Sequence, residues 1–264
     1  MFSIVLWELH RRRSFMLWWS IGIIVLVALT VLAYSAVADQ NAAASAAFNN
    51  LGEDIGAFVG TSDLFSPVGY LNSQLYFITL PVLFIIMSTV LANGLFGKEE
   101  NTRTLELLLA RPLSRTQLLG GKALAGLLIV AVIGVITTLS IVLCAHVADL
   151  PVSTGNLVLA TATAVCFSAG FGAIAFMLLA ASIHTRRFAT LAALVFSLGG
   201  YIITSLGDMV DWLGTVAKLF PYHYYDPNAL LTGSLPGGLQ AYIIGMYVVA
   251  AVVAITGFRR RDIY

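Results

Sequence analysis

Residues 97–122 read GKEENTRTLELLLARPLSRTQLLGGK, a dense block of charge set between two long apolar runs. Those runs, at about 74–96 and 122–146, are each long enough to cross a bilayer. About 20 apolar residues span the hydrocarbon core as a helix, which satisfies its own backbone groups there. The block therefore sits at one membrane surface, and the rest of the chain decides which one.

Working outward, four further stretches read as spans, at about 15–37, 157–182, 188–206 and 239–258. The 264 residues are 59% hydrophobic and 10% charged, with a mean hydropathy of +0.91. That is too little charge to cover a water-soluble surface of this size. The expected fold class is all-α: one polytopic membrane domain over 1–264 with six transmembrane helices. Pro81 is expected to kink the second span, and Gly170 and Gly172 to admit close helix contacts in the fourth.

Charge then gives the orientation. Arg11 to Arg13 precede the first span, and Lys98, Arg103, Arg111, Arg115 and Lys122 fill the quoted block. Arg186 and Arg187 precede the fifth span, and Arg259 to Arg261 follow the sixth. With six alternating helices, 13 of the 14 basic residues share one side and only Lys218 falls opposite. The positive-inside rule makes that side cytoplasmic, with both termini inside. Asp39, Glu53, Asp54, Asp63, Asp149, Asp208, Asp211 and Asp226 fall outside. A count of five or seven spans would scramble this asymmetry. The expected location is a prokaryotic plasma membrane, crossed several times.

The first span is longer than the roughly 7–15 residues of a signal-peptide core, so a cleavable leader is not expected. Ahead of it, Phe2, Val5, Leu6 and Leu9 recur at helical spacing beside Trp7. An interfacial helix over 1–13 is expected, its apolar face toward the acyl chains. A plain positive anchor for the first span is the alternative. The outer loop at about 38–73 holds no Lys or Arg. In the outer segment 207–238, Met209, Trp212, Leu213, Val216, Leu219 and Phe220 follow a helical pattern too short to span. Pro221 and Pro227 then bracket Tyr222, His223, Tyr224 and Tyr225. Two readings stay open there: short helices that dip into the membrane, or an aromatic belt at the interface.

Several chemistries are excluded by what the residues lack. The centres of the six spans carry no ionisable residue, which argues against ion-driven carriage and embedded hydrolysis. Glu99 and Glu100 near Arg103 resemble an intramembrane protease of the prenyl-protein processing type. But His10, His146, His184 and His223 are scattered over both surfaces and the spacing to Arg103 is one residue short, so that protease is only the last of the alternatives. Gly97-Lys98 and Gly121-Lys122 lack the Ser or Thr and the upstream glycine of a phosphate loop. Cys144 and Cys166 read as packing residues. Matched broken helices of an inverted-repeat transporter are not seen. No catalytic, cofactor or metal residue is expected in this chain.

Inside the block, Glu99 to Leu109 are good helix formers, with Leu105, Leu108 and Leu109 on one face. Pro112 ends that helix, and Ser114 reads as the N-cap of a new one running through Gln117, Leu118 and Leu119 into the third span. The expectation is a short amphipathic helix on the cytoplasmic surface whose Glu100, Arg103 and Glu106 meet a soluble partner. A solvated, lipid-facing loop is the plainer alternative.

These residues resemble the permease subunits of type 2 ABC exporters (ABC-2 permeases). Such subunits carry, after span two, an acidic residue and then a G/R-T-L-E-L-L-L-x-x-P-x-S-R-x-x-x-x-x-x-K stretch. Here it reads Glu100, Arg103-Thr104-Leu105-Glu106-Leu107-Leu108-Leu109, Pro112, Ser114-Arg115 and Lys122, with Arg103 where glycine is common. The N-terminal helix, the six spans, the aromatic-proline segment and the Phe258-Arg259-Arg260-Arg261-Asp262 ending fit as well, though only the central motif is specific.

The resemblance implies a coupling helix that docks on a separate ATPase, through Glu99, Glu100, Arg103, Thr104, Leu105, Glu106, Pro112, Ser114 and Arg115. It implies two ATPase subunits carrying ATP and Mg, a second permease copy or paralogue, surrounding membrane lipid and no nucleic acid. Export of a substrate would follow, along a path between permeases lined by spans two and five. A non-transporting membrane partner of an ATPase, such as an immunity or sensory subunit, would share the docking loop but not the flux.

Overall fold

A computed structural model describes residues 2–34, 66–101, 114–181, 186–207 and 210–260, and among these every regular element is helical. The N-terminal pair is α1 (Phe2–Arg11) and α2 (Arg13–Leu32). A short α3 (Pro67–Leu71) continues through a π-turn (Asn72–Tyr76) toward α4 (Thr79–Asn101). Then come α5 (Arg115–Val147), α6 (Thr154–Ala181) and α7 (Arg186–Gly207). The segment before the last helix folds as α8 (Asp211–Ala217), a 3-10 turn (Pro221–Tyr224) and α9 (Pro227–Leu231), and α10 (Leu239–Arg260) follows. Among the described residues six helical runs are long and apolar enough to cross a membrane: α2, α3 with α4 over Pro67–Leu95, α5, α6, α7 and α10.

The spans are not equivalent. In the α3–α4 and α6 runs 61% of the apolar window is buried, against 22–33% in the other four, so these two form the centre of the bundle. The others leave Leu17, Leu29, Leu139, Leu143, Val249 and Val252 exposed, as suits helices whose outer solvent is lipid. The seam between α4 and α6 is close because Gly172 has no side chain. A Cβ there would sit 2.5 Å from Ser88 Cβ and 3.1 Å from the Ser88 carbonyl carbon. Gly170 plays the same part toward α10, where a Cβ would meet Met246 Cε at 2.9 Å. Since lipid tails are as apolar as the helices, close van der Waals packing carries the association.

The second span begins earlier than 74, at Pro67, where Ser66 Oγ accepts the Gly69 N–H at 3.0 Å as an N-cap. Pro81 does break the helical ladder, but the break lies upstream of it. A proline at 81 has no N–H to offer the Phe77 carbonyl, and its ring crowds that oxygen. The Phe77 N–H reaches back five residues to the Asn72 carbonyl at 2.8 Å, and the ordinary ladder resumes with Val82 N–H on the Ile78 carbonyl at 2.9 Å. The strain is absorbed by a single π-turn.

The aromatic segment also differs from an interfacial belt. Tyr222 and Tyr225 are buried, and the Tyr225 ring stacks on Phe167 of α6 at 4.5 Å while Tyr222 meets the same ring edge-on at 4.9 Å. The Tyr225 hydroxyl donates to the Tyr76 carbonyl at 2.9 Å, and the Tyr76 hydroxyl pairs with Thr161 at 2.8 Å. The two tyrosines therefore close one end of the bundle core, tying the π-turn, α6 and the 3-10 turn together.

Candidate functional site

The quoted block is described at its two stems. Glu99 and Glu100 fall in the last turn of the α4 backbone, and Arg115 is the first residue of α5, with the side chains of all three outside the described residues. Arg103, Thr104, Leu105, Glu106 and Pro112 lie outside the described residues altogether. Ser114 is the N-cap of α5. Its Oγ accepts the Gln117 N–H at 3.2 Å, and Gln117 Oε1 accepts the Ser114 N–H at 3.2 Å, a reciprocal capping box. The third span thus belongs to a helix of 33 residues, α5, that starts at the loop itself.

The stems are tied by a residue that looks, in the sequence, like the last solvated charge of the block. Lys122 is buried at 1% exposure, and its Nζ donates to the Leu95 carbonyl of α4 at 2.5 Å. Next to it, Gly121 admits α1: a Cβ there would meet Ile4 Cβ at 3.2 Å. On α1 the expected lipid-facing stripe is only partly realised. Phe2, Leu6 and Trp7 are exposed, but Val5 and Glu8 are buried, Glu8 completely.

A buried carboxylate is costly unless it is paired. Arg12 Nε donates to Glu8 Oε2 at 3.0 Å, and Arg11 Nη1 lies 3.9 Å from Oε1 while stacking on the Trp7 ring at 4.7 Å. The Arg12 guanidinium also lies directly over Gly94 of α4, where a methyl group would collide with Nη1. So α1, the α1–α2 junction, the last turns of α4 and the start of α5 meet in one knot at the base of the loop. Sequence reasoning missed Glu8. The i,i+4 spacing of Glu8 and Arg12 is the signal that pointed to it.

Between α4, α5, α6 and α10, at the same end, lies an apolar cavity of about 270 Å³ bordered by Leu95, Leu119, Gly126, Phe176 and Ala254. Its three polar neighbours are already engaged: the Ser88 hydroxyl donates to the Ile85 carbonyl, the Tyr247 hydroxyl to the Cys166 carbonyl, and the Thr116 hydroxyl pairs with that of Ser114. At the far end, burial pushes the Tyr222 hydroxyl up to about 12 against a partly offsetting bond from Ser197, and Tyr225 is raised by burial too. Both stay neutral and pack against Phe167. Among the described residues no group of three His, Cys, Asp or Glu could hold a metal ion. The arrangement suits mechanical work: stiff helices leaving a tied pair of stems.

The family model described as ABC-2 family transporter protein matches residues 5–217, from α1 through α8. No curated protein and no solved structure matches the chain.

Proposed function

The chain belongs to the ABC-2 family of transporter proteins, and from that premise we propose that it is the transmembrane subunit of an ATP-driven exporter. Energy comes from separate ATPase subunits that bind ATP and Mg, and a substrate moves out of the cytoplasm. Two such ATPases and two permease copies make the working unit.

The observation that carries this reading is the pair of stems joined by Lys122 and Leu95. They would give residues 102–113 a firm base at one end of the bundle. On that base Glu99, Glu100, Arg103, Thr104 and Glu106 supply charge and hydrogen bonding toward an ATPase groove, and Leu105 adds an apolar contact. Pro112 stops the docking helix, and Ser114 and Arg115 start the next one. A push on this element when the ATPases close would travel along α4 and α5. From α4 it would pass to the central α6 across the Ser88–Gly172 seam, which is too close-packed to slip. The substrate path would lie between two permeases, along α4 and α7.

The reading requires the loop to face the cytoplasm, where ATP is. Single cysteines at Asn49 and Gln117 test this with a membrane-impermeant maleimide. N49C is expected to react in intact cells and Q117C only after permeabilisation. The reverse pattern would put the loop beyond the reach of any ATPase and end the proposal.

A further inference from the structure

We propose that Glu8, Arg12 and Lys122 are positioning residues: they lock α1 and the two stems of the loop into one rigid unit. A push on the loop then moves the N-terminal helix and the start of α2 together with α4 and α5. The source of the push rests on the docking reading above, whereas the unit itself is a property of this chain.

The argument begins with cost. Glu8 is fully buried, and Arg12 keeps only 11% of its side chain exposed. Buried ion pairs seldom add stability over apolar residues of the same size, and their best-attested use is to fix one register among several greasy alternatives. Among the described residues Glu8 Oε1 and Arg12 Nη2 find no hydrogen-bond partner, so the pair as described is not optimised for stability. What it does have is direction. An apolar contact between α1 and α4 could slide by a turn, whereas the guanidinium fits only over a residue with no side chain, and Gly94 is that residue.

The two ties also land on adjacent positions of α4. Arg12 rests on Gly94 and Lys122 grips the carbonyl of Leu95, about two turns before α4 ends at Asn101. On the other side Arg12 is itself the joint between α1 and α2. It leaves the helical region at φ −104° and ψ 13°, yet its N–H still reaches the Glu8 carbonyl at 3.1 Å and its carbonyl accepts the Met16 N–H at 3.0 Å. A one-residue joint with hydrogen bonds on both sides is stiff. Ile4 against Gly121 completes the ring of contacts back to α5. An element lying on the membrane surface is thereby geared to the stems.

The test uses the full-length permease in lipid nanodiscs, with hydrogen exchange read over residues 4–11, 90–98 and 116–124. Variants are K122M, R12Q, the gentler R12K, which keeps the charge and loses the fork, and the exchanged pair E8R/R12E. K122M, made on α5, is expected to speed exchange in α1 by about tenfold, the scale of one lost pairwise interaction. R12Q and R12K should do the same to the end of α4, and E8R/R12E, which keeps an ion pair but takes the guanidinium off Gly94, should not restore the protection there. If K122M leaves α1 at wild-type exchange and the Arg12 variants leave α4 unchanged, the unit does not exist.

A second arm adds the ATPase with and without a non-hydrolysable ATP analogue. Wild-type α1 is expected to change its exchange on nucleotide binding. R12K should bind the ATPase within about twofold of wild type, since the docking residues are untouched, yet lose that distant response and most stimulated hydrolysis. A response that persists in both R12K and K122M, with the ATPase bound, overturns the gearing. Failure of wild type to bind the ATPase at all instead sinks the docking reading, and the nanodisc arm then decides the unit alone.

Discussion

Exchanging the two central charges of the loop, as R103E with E106R, is expected to abolish association with the ATPase while the permease still inserts at normal levels. Truncating or reversing a charge that is paired in an interface costs about 2–5 kcal/mol, because the partner charge is left stranded or faces its like. Two such losses come to about 4 kcal/mol or more, roughly a thousandfold in Kd, enough to remove the complex from a purification. The exchange leaves the net charge of the loop unchanged, so the signal that orients the six helices is kept. Neither residue falls in one of the six apolar runs. Co-purification of ATPase with the double variant at wild-type stoichiometry would show that another surface does the docking. Equal loss of the permease from the membrane would show that the loop is needed for insertion.

Phe167→Ala is expected to give the largest loss of stability at a site far from the loop. Phe167 is fully buried in α6, one of the two central spans, stacked on Tyr225 and edge-on to both Tyr222 and Phe171 at 4.9 and 5.5 Å. Removing a buried aromatic ring costs about 3–5 kcal/mol where the neighbours cannot collapse. Here three rings and the Tyr225 bond to the Tyr76 carbonyl hold their places. In lipid the loss is one of contact rather than of water exclusion, which leaves the cavity part of it intact. Thermal unfolding in nanodiscs should show the drop, with ATPase affinity unchanged in the fraction that folds. Tyr225→Phe, which removes only one hydrogen bond, should cost about 1 kcal/mol. Similar unfolding temperatures for wild type and Phe167→Ala would mean that the aromatic cluster does not hold the outer segment on the bundle.

The spans were legible because the bilayer imposes a length and composition that few other structures need. The start of α5 was legible for a local reason: Ser114 and Gln117 stand at the spacing of a capping box, which needs no tertiary partner to form. What escaped was everything that depends on a neighbour. Glu8 sits among WELHRRR, where a carboxylate reads as solvated, and only Arg12 and Gly94 together make its burial affordable. Lys122 looked like a surface charge because a long side chain ordinarily reaches for water, but here it finds the Leu95 carbonyl first. Pro81 announced a break without saying that the break would be a π-turn upstream of it. Tyr222 and Tyr225 carried no periodicity that would separate a buried plug from a membrane belt. The docking residues themselves, from Arg103 to Pro112, rest on the sequence.

The most direct test of the account places a photo-crosslinking amino acid at Thr104, leaving the neighbouring charges in place, in cells that express the protein at native level. Irradiation is expected to join the chain to an ABC ATPase carrying a nucleotide-binding motif, identified by mass spectrometry of the adduct, with the yield changing when ATP is depleted. Crosslinks to lipid alone, or to a protein with no nucleotide-binding motif, would contradict the claim that force enters this chain through residues 97–122.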